Sequence, residues 1–325
     1  MTSSSLPSFL LPIRSDLQKV EHLMRQQAND YHPDVVAALN HLLLSGGKRM
    51  RPAVTLLIGN LLNGDQDRLI TLAAAIELLH TATLVHDDLI DGSLLRRGIP
   101  TLNAQWSPAA TVLTGDFLFS RAAKLAAEAE SLAVMKNFAT TLTIIVNGEI
   151  SQLFTSRCQV DLSEYTTRIY AKTASLFETA ASSAAIIANA APEIIEQARI
   201  YGYNIGMAFQ IIDDILDFIS DPASLGKPVG SDLRQGLVTL PALLYIQSHP
   251  NDPSGQDLLA GNCIKDEQQL HSLIQNIASS TAIEQAYQIA HHHVDTAIEA
   301  IRQLPDKPER TELENLACYI TNREH

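Results

Sequence analysis

Apolar residues recur along almost the whole chain at intervals of three and four, and no stretch alternates apolar with polar long enough to make a sustained strand. That periodicity predicts helices at about Ser15–Ala28, Pro33–Leu44, Arg51–Leu62, Asp67–Asp91, Ala109–Glu128, Ser131–Ser156, Asp161–Ala191, Pro192–Ser220, Val238–Gln247, Asp266–Ala278, Ser280–Gln303 and Glu309–Thr321. Strands are expected to be essentially absent. Asp221 to Gly236 contains Pro222, Gly226, Pro228, Gly230 and Gly236 and reads as the clearest long loop; His249 to Gly255 reads as a surface turn. Helices of similar composition continue on both sides of that turn, and no solenoid repeat is evident. The expected architecture is therefore all-α, a single domain over residues 1–325 in which long helices surround a deep central cavity, with a flexible Ser/Pro-rich start over 1–14.

Composition supports a folded chain. Of 325 residues 46% are hydrophobic and 18% charged, which excludes dominant disorder. The 23 Lys+Arg stand against 36 Asp+Glu, a formal charge of −13 with no basic block, which argues against a nucleic-acid partner. Cys158, Cys263 and Cys318 are odd in number and far apart, so neither a disulfide framework nor a CxxC metal site is expected, and free thiols fit a reducing compartment. No basic residue precedes Arg14, and Pro12 interrupts the short apolar run Phe9–Leu11, so no secretory signal is read; the apolar run Leu176–Ala191 is broken by Glu178, Ser182, Ser183 and Asn189. The expectation is a cytoplasmic protein, with room for peripheral membrane contact. A charge of −13 would repel an anionic substrate unless metal ions or concentrated cations intervene.

Two acidic clusters supply the first candidate chemistry. Asp87-Asp88-Leu89-Ile90-Asp91 and Asp213-Asp214-Ile215-Leu216-Asp217 each fall near the C-terminal end of a long apolar helix, where the macrodipole disfavours negative charge. Positions i, i+1 and i+4 place each trio on one broad face. Hard oxygen ligands of this kind suit Mg²⁺, which completes its shell with water and phosphate oxygens. Gln210 extends the polar stripe of the second helix, and His80 lies on the same face of the first, about two turns before the acids.

The scarce cations are clustered too. Lys48, Arg49 and Arg51 follow Gly46-Gly47 at a predicted helix start, a place that favours anions; Arg96-Arg97 follow the first acidic cluster, Lys172-Thr173 sit on a later helix, and Lys227 lies in the glycine-rich loop. The first group does not match the order and spacing of a nucleotide-binding P-loop, so ATP chemistry is not indicated. His291-His292-His293 reads as an exposed helix segment. Metal-binding carboxylates, separate basic sites and an apolar helical interior together describe a diphosphate with a greasy tail.

At this point the sequence resembles the trans-isoprenyl diphosphate synthases of the polyprenyl synthetase family, over essentially the whole chain from about Leu17. The resemblance rests on GGKRMRP (46–52), ELLHTATLVHDDLIDGSLLRRG (77–98), GEISQL (148–153), KTA (172–174), GMAFQIIDDILD (206–217), GKPVGSDL (226–233) and YITNR (319–323), in order and at compatible spacing. It implies the isoprenoid synthase fold, commonly a homodimer, joining isopentenyl diphosphate head-to-tail to an allylic diphosphate. By resemblance, Asp87, Asp88, Asp91, Asp213, Asp214 and Asp217 bind several Mg²⁺ ions at the allylic diphosphate, and Arg96, Lys172 and Lys227 grip that leaving group. Lys48, Arg51, His80 and Arg97 hold the isopentenyl diphosphate, and Thr173 and Gln210 line the reacting end. The chain departs from the family's frequent D-L-x-x-G-K-x-T at Leu237, which stands where a Lys is common.

In this family, product length follows the side chains preceding the first aspartate cluster. Here they are Thr83, Ala82 and, further back, Leu79, with no Phe, Tyr or Met at these positions. The expectation is a product longer than C20 for a quinone side chain; a geranylgeranyl or farnesyl diphosphate synthase is the alternative, and a noncatalytic partner subunit of a heteromeric synthase is the reading from another class. A terpene cyclase would have no use for Lys48, Arg51 and His80, and a noncatalytic subunit would be expected to have lost aspartates.

Overall fold

The computed structural model describes residues 7–44, 47–96, 98–154, 157–220 and 228–322. Helices dominate them: α1 Arg14–Gln26, α2 Pro33–Leu44, α3 Met50–Leu61, α4 Gln66–Ile90, α5 Leu102–Gln105, α6 Pro108–Glu128, α7 Leu132–Phe154, α8 Leu162–Ile169, α9 Ser175–Ile187 and α10 Pro192–Ile219, followed by Ser231–Arg234, Leu240–Ser248, Pro253–Leu259, Glu267–Ala278, Thr281–Ile301 and Pro308–Thr321. The chain divides into two compact units.

The first unit comprises the chain up to Leu142 with Leu176–Gly202 and Ala300–Leu316. Its centre is α4, which is apolar nearly all round and packs against α1, α3 and α6. By length and hydropathy α4 could cross a membrane, yet 72% of its apolar window is buried inside the protein, as in a core helix. Asp65 caps its start by accepting from the Arg68 amide at 3.0 Å. The close approach of α6 depends on Gly115, where a Cβ would run into the His86 ring. After α4 the chain turns through Gly92, at φ +65°, into an antiparallel hairpin, Leu95–Arg96 with Ile99–Pro100. Of the start expected to be flexible, Phe9, Leu10 and Ile13 are buried.

The second unit comprises Thr143–Ser175, Tyr203–Glu299 and the chain from Ala317. The single helix expected over 161–191 is instead α8, a π-helical turn at Tyr170–Ala174, and α9. Asp161 caps α8 by accepting from the Ser163 and Glu164 amides at 2.8 and 3.3 Å. The π-turn is held closely on two sides: a Cβ at Gly148 of α7 would strike Ala171, and one at Gly206 of α10 would strike Ala174.

Two further expectations are corrected. Short helices occupy Ser231–Arg234, within the predicted loop, and Pro253–Leu259, where a surface turn was read; both are too brief to show a helical period. The hairpin, only two residues per strand, has no visible alternation. Cys158 and Cys263, 105 residues apart, form a disulfide with 5.3 Å between their Cα atoms, contrary to the expectation of free thiols; Cys318 is free and exposed. Spacing could not reveal that pair, because the fold brings the two loops together.

Candidate active site

In the first unit the aspartates differ in environment. Asp88 is buried, Asp87 half-buried and Asp91, the C-cap of α4, exposed. Arg96 of the hairpin grips Asp88, donating from Nε to Oδ1 and Oδ2 at 2.9 and 3.1 Å and from Nη2 to Oδ1 at 2.7 Å. This charge-assisted fork ties the hairpin back onto α4. Arg96, read from the sequence as a diphosphate ligand, is thus engaged with an aspartate read as a metal ligand.

The cations before α3 divide as well. Arg49, in the left-handed region at φ +48°, donates to Glu21 at 3.0 Å and to the buried Glu77 at 2.9 Å. Burial works against the Arg49 charge, but the two carboxylates outweigh it and raise its pKa above the ordinary value. Arg51, in the first turn of α3, is buried with its guanidinium 4.5 Å from the centre of the Phe177 ring. Lys48 and His80 are half-buried. Leu79 and Ala82 are fully buried in the unit's interior, and Thr83 is half-buried with its hydroxyl donating to the His80 carbonyl at 2.8 Å. Arg97 lies outside the described residues.

In the second unit the division recurs. Asp213 is half-buried, whereas Asp214 and Asp217 are each 2% exposed. The Tyr165 hydroxyl donates to Asp214 Oδ2 at 2.7 Å, and Gln210 Nε2 donates to Oδ1 at 2.8 Å. Gln210 in turn accepts from the Thr173 hydroxyl at 2.6 Å. Asp217 accepts from the Ser231 hydroxyl at 2.8 Å and the Asp232 amide at 3.1 Å, which fastens the short helix Ser231–Arg234 to α10. Gly230, at φ +68°, turns the chain into that helix. Burial, then Asp232 and, more weakly, Asp213, push the Asp214 carboxyl up to about 8 against the opposing effect of Gln210 and Tyr165. Lys172 is exposed and donates to Glu149 at 3.0 Å. Lys227 lies outside the described residues, and Leu237 is half-buried.

Sequence patterning thus located both clusters but treated each trio as alike. It missed Tyr165, Ser231 and Glu149, whose roles depend on partners 49, 14 and 23 positions away. Among the described residues no three His, Cys, Asp or Glu side chains form a protein cage for a metal. Asp87 and Asp91 at the end of α4, and Asp213 on α10, instead offer one or two hard oxygen donors each. That donor set fits Mg²⁺ completed by water and phosphate oxygens.

An all-α chain bearing two acidic clusters and dispersed cations defines a class of enzyme that handles prenyl diphosphates. The polyprenyl synthetase family matches residues 32–280. Heptaprenyl diphosphate synthase component 2 of Geobacillus stearothermophilus is 38% identical over 100% of both chains, and the all-trans-nonaprenyl-diphosphate synthase (geranyl-diphosphate specific) of Rhodobacter capsulatus is 37% identical over 97% of both. Among solved structures, the polyprenyl synthase of Caulobacter crescentus CB15, complexed with calcium and isoprenyl diphosphate, superposes with a TM-score of 0.92 at 35% identity over 100% of both chains. The chain belongs to the polyprenyl synthetase family: it is a trans-polyprenyl diphosphate synthase, a prenyltransferase, most like the long-chain members.

Proposed function

We propose that this enzyme joins isopentenyl diphosphate, 1′–4, to an allylic diphosphate with the help of Mg²⁺, and repeats the addition to give an all-trans product longer than C20, for a quinone side chain. The observation behind the length is the column Leu79, Ala82 and Thr83 on α4, which has no large aromatic side chain before Asp87 and packs in the interior of its unit. At ~1.5 Å per residue, the ten positions from Asp87 back to Glu77 span on the order of 15 Å. The names of the heptaprenyl and nonaprenyl relatives support the same reading.

Exposure sorts the aspartates, and the family resemblance supplies the basic ligands. Asp87, Asp91 and Asp213 would hold Mg²⁺, which when bound neutralises charge on diphosphate. Asp88, Asp214 and Asp217 are held by protein donors and keep the helix ends rigid. By the resemblance, Arg96, Lys172 and Lys227 would bind the allylic diphosphate, and Lys48, Arg51, His80 and Arg97 isopentenyl diphosphate. In the reaction the allylic C1–O bond breaks and its electron pair leaves on the diphosphate. The Lys172 ammonium, oriented by Glu149, would stabilise that developing charge more in the transition state than in the ground state. The C3–C4 π electrons of isopentenyl diphosphate form the new bond to C1, and a C2 proton is lost to the departing diphosphate. Apolar helices exclude water from the cation.

We further propose a cytoplasmic homodimer. The exposed apolar residues Val146, Ile150, Leu153 and Phe154 at the end of α7 suit a partner surface. A second reading, a subunit needing a heterologous partner, draws on the relative named as a component. Incorporation of labelled isopentenyl diphosphate by the purified chain alone, with Mg²⁺ and geranyl, farnesyl or geranylgeranyl diphosphate, distinguishes the two. Elongation supports the self-sufficient enzyme; none with any starter refutes it.

A further inference from the structure

Two of the groups assigned above, Lys172 and Asp213, sit beside residues of one buried hydrogen-bonded chain. Lys172 is followed by Thr173 and Asp213 by Asp214, and the chain runs from the Thr173 hydroxyl to Gln210 Oε1, from Gln210 Nε2 to Asp214 Oδ1, and ends where the Tyr165 hydroxyl donates to Asp214 Oδ2. Every link is 2.6–2.8 Å. Tyr165 is 2% exposed, Thr173 5% and Asp214 2%, while Gln210 is half-buried, so water is best excluded from the Tyr165–Asp214 bond. The surrounding backbone has little freedom, because Gly148 and Gly206 let α7 and α10 approach the π-turn at Ala171 and Ala174 with no space for a side chain. π-turns of this sort are uncommon and are frequent at functional sites.

We infer that Tyr165 is a positioning residue, the buried anchor of a Tyr165–Asp214–Gln210–Thr173 frame that fixes the cationic Lys172 and the metal-binding Asp213 relative to each other for one diphosphate group. This rests on the role proposed above for those two residues. The hydroxyl is the only polar atom of the Tyr165 side chain, so its removal leaves Asp214 Oδ2 without this donor while the ring still fills its place in the core. Groups hydrogen-bonded directly to a metal ligand alter metal affinity by about 10–100-fold when removed, and Tyr165, one residue further from Asp213, belongs at the low end of that range. The effect should reach the allylic diphosphate and its metal and spare isopentenyl diphosphate, whose assigned ligands all lie elsewhere.

The test uses the full chain with Tyr165→Phe and, as a second probe at the far end of the frame, Thr173→Val. Three quantities are read: Mn²⁺ binding by electron paramagnetic resonance in the presence of inorganic pyrophosphate, the Mg²⁺ and substrate dependence of elongation, and thermal melting. Tyr165→Phe should weaken Mn²⁺–pyrophosphate binding by about tenfold. It should raise the Mg²⁺ half-saturation and the allylic KM together, leave the isopentenyl KM within about twofold, and keep the circular dichroism of the native fold. Thr173→Val should reproduce that pattern, and it decides the matter should Tyr165→Phe not fold. Unchanged Mn²⁺ binding and Mg²⁺ dependence overturn the inference. So does a uniform fall in kcat with a lowered melting temperature and no change in metal affinity, which is the signature of packing alone. Should the unaltered protein elongate no substrate, the proposed function fails, while the Mn²⁺–pyrophosphate comparison still decides the role of Tyr165.

Discussion

At the residue scale, the six aspartates of the two clusters fall into two environments. Asp87, Asp91 and Asp213 are at least partly open to solvent, whereas Asp88, Asp214 and Asp217 are buried, each with protein donors on its carboxylate. Asp87→Ala or Asp213→Ala should therefore reduce turnover by orders of magnitude with the melting temperature nearly unchanged. Asp88→Ala should in addition lower stability, because it strands Arg96; with Arg96 partly exposed, the loss should be only about 1–2 kcal/mol, read by denaturant unfolding. Equal thermal effects from Asp87→Ala and Asp88→Ala would contradict the division. The basic group before α3 makes the same point. Arg49→Ala should unfold the protein more easily by about 3 kcal/mol, since it leaves Glu77 charged and buried, whereas Lys48→Ala should raise the isopentenyl KM with little change in stability.

None of this division was visible in the spacing of the acids. The repeat i, i+1, i+4 assigns a face but not a donor, and the donors come from Arg96, Tyr165 and Ser231 on other elements. The motifs did mark where a cation is called for, because carboxylates at the C-terminal end of an apolar helix need one whatever their partners are.

At the scale of elements, the long helices were legible because each buries one face, or in α4 nearly all of itself, and so imposes a 3.6-residue period. The π-turn at Tyr170–Ala174 was not, since it is set by the fit of Ala171 and Ala174 against distant glycines, with no local breaker in Tyr-Ala-Lys-Thr-Ala. The α4 column gives a direct prediction. Ala82→Phe places an aromatic ring in the column before Asp87 and should shorten the product by several isoprene units, as sized by reverse-phase chromatography; an unchanged length would remove this column as the determinant. The disulfide joins the loop before α8 to the loop after Pro253–Leu259 and closes a span of 105 residues. Its reduction, or Cys158→Ser, should lower stability by ~2–4 kcal/mol and the melting temperature with it, measured with and without a thiol reductant. An identical melting curve in both conditions would mean that the bond does not form in solution.

At the scale of the molecule, the formal charge of −13 first reads as an obstacle to an anionic substrate. The proposed function removes the difficulty, because on that reading the solvent-facing carboxylates would recruit Mg²⁺ and the few cations of the matching motifs would hold diphosphate. Family membership and catalytic class follow from resemblance along the whole chain. Product length does not, because it depends on a handful of interior side chains that closely related enzymes vary. It is the central claim, and one experiment reads it: incubate the purified chain with Mg²⁺, excess labelled isopentenyl diphosphate and farnesyl diphosphate, hydrolyse the diphosphates and size the alcohols. The expected product is all-trans and longer than C20; an endpoint at C15 or C20 would overturn the long-chain reading.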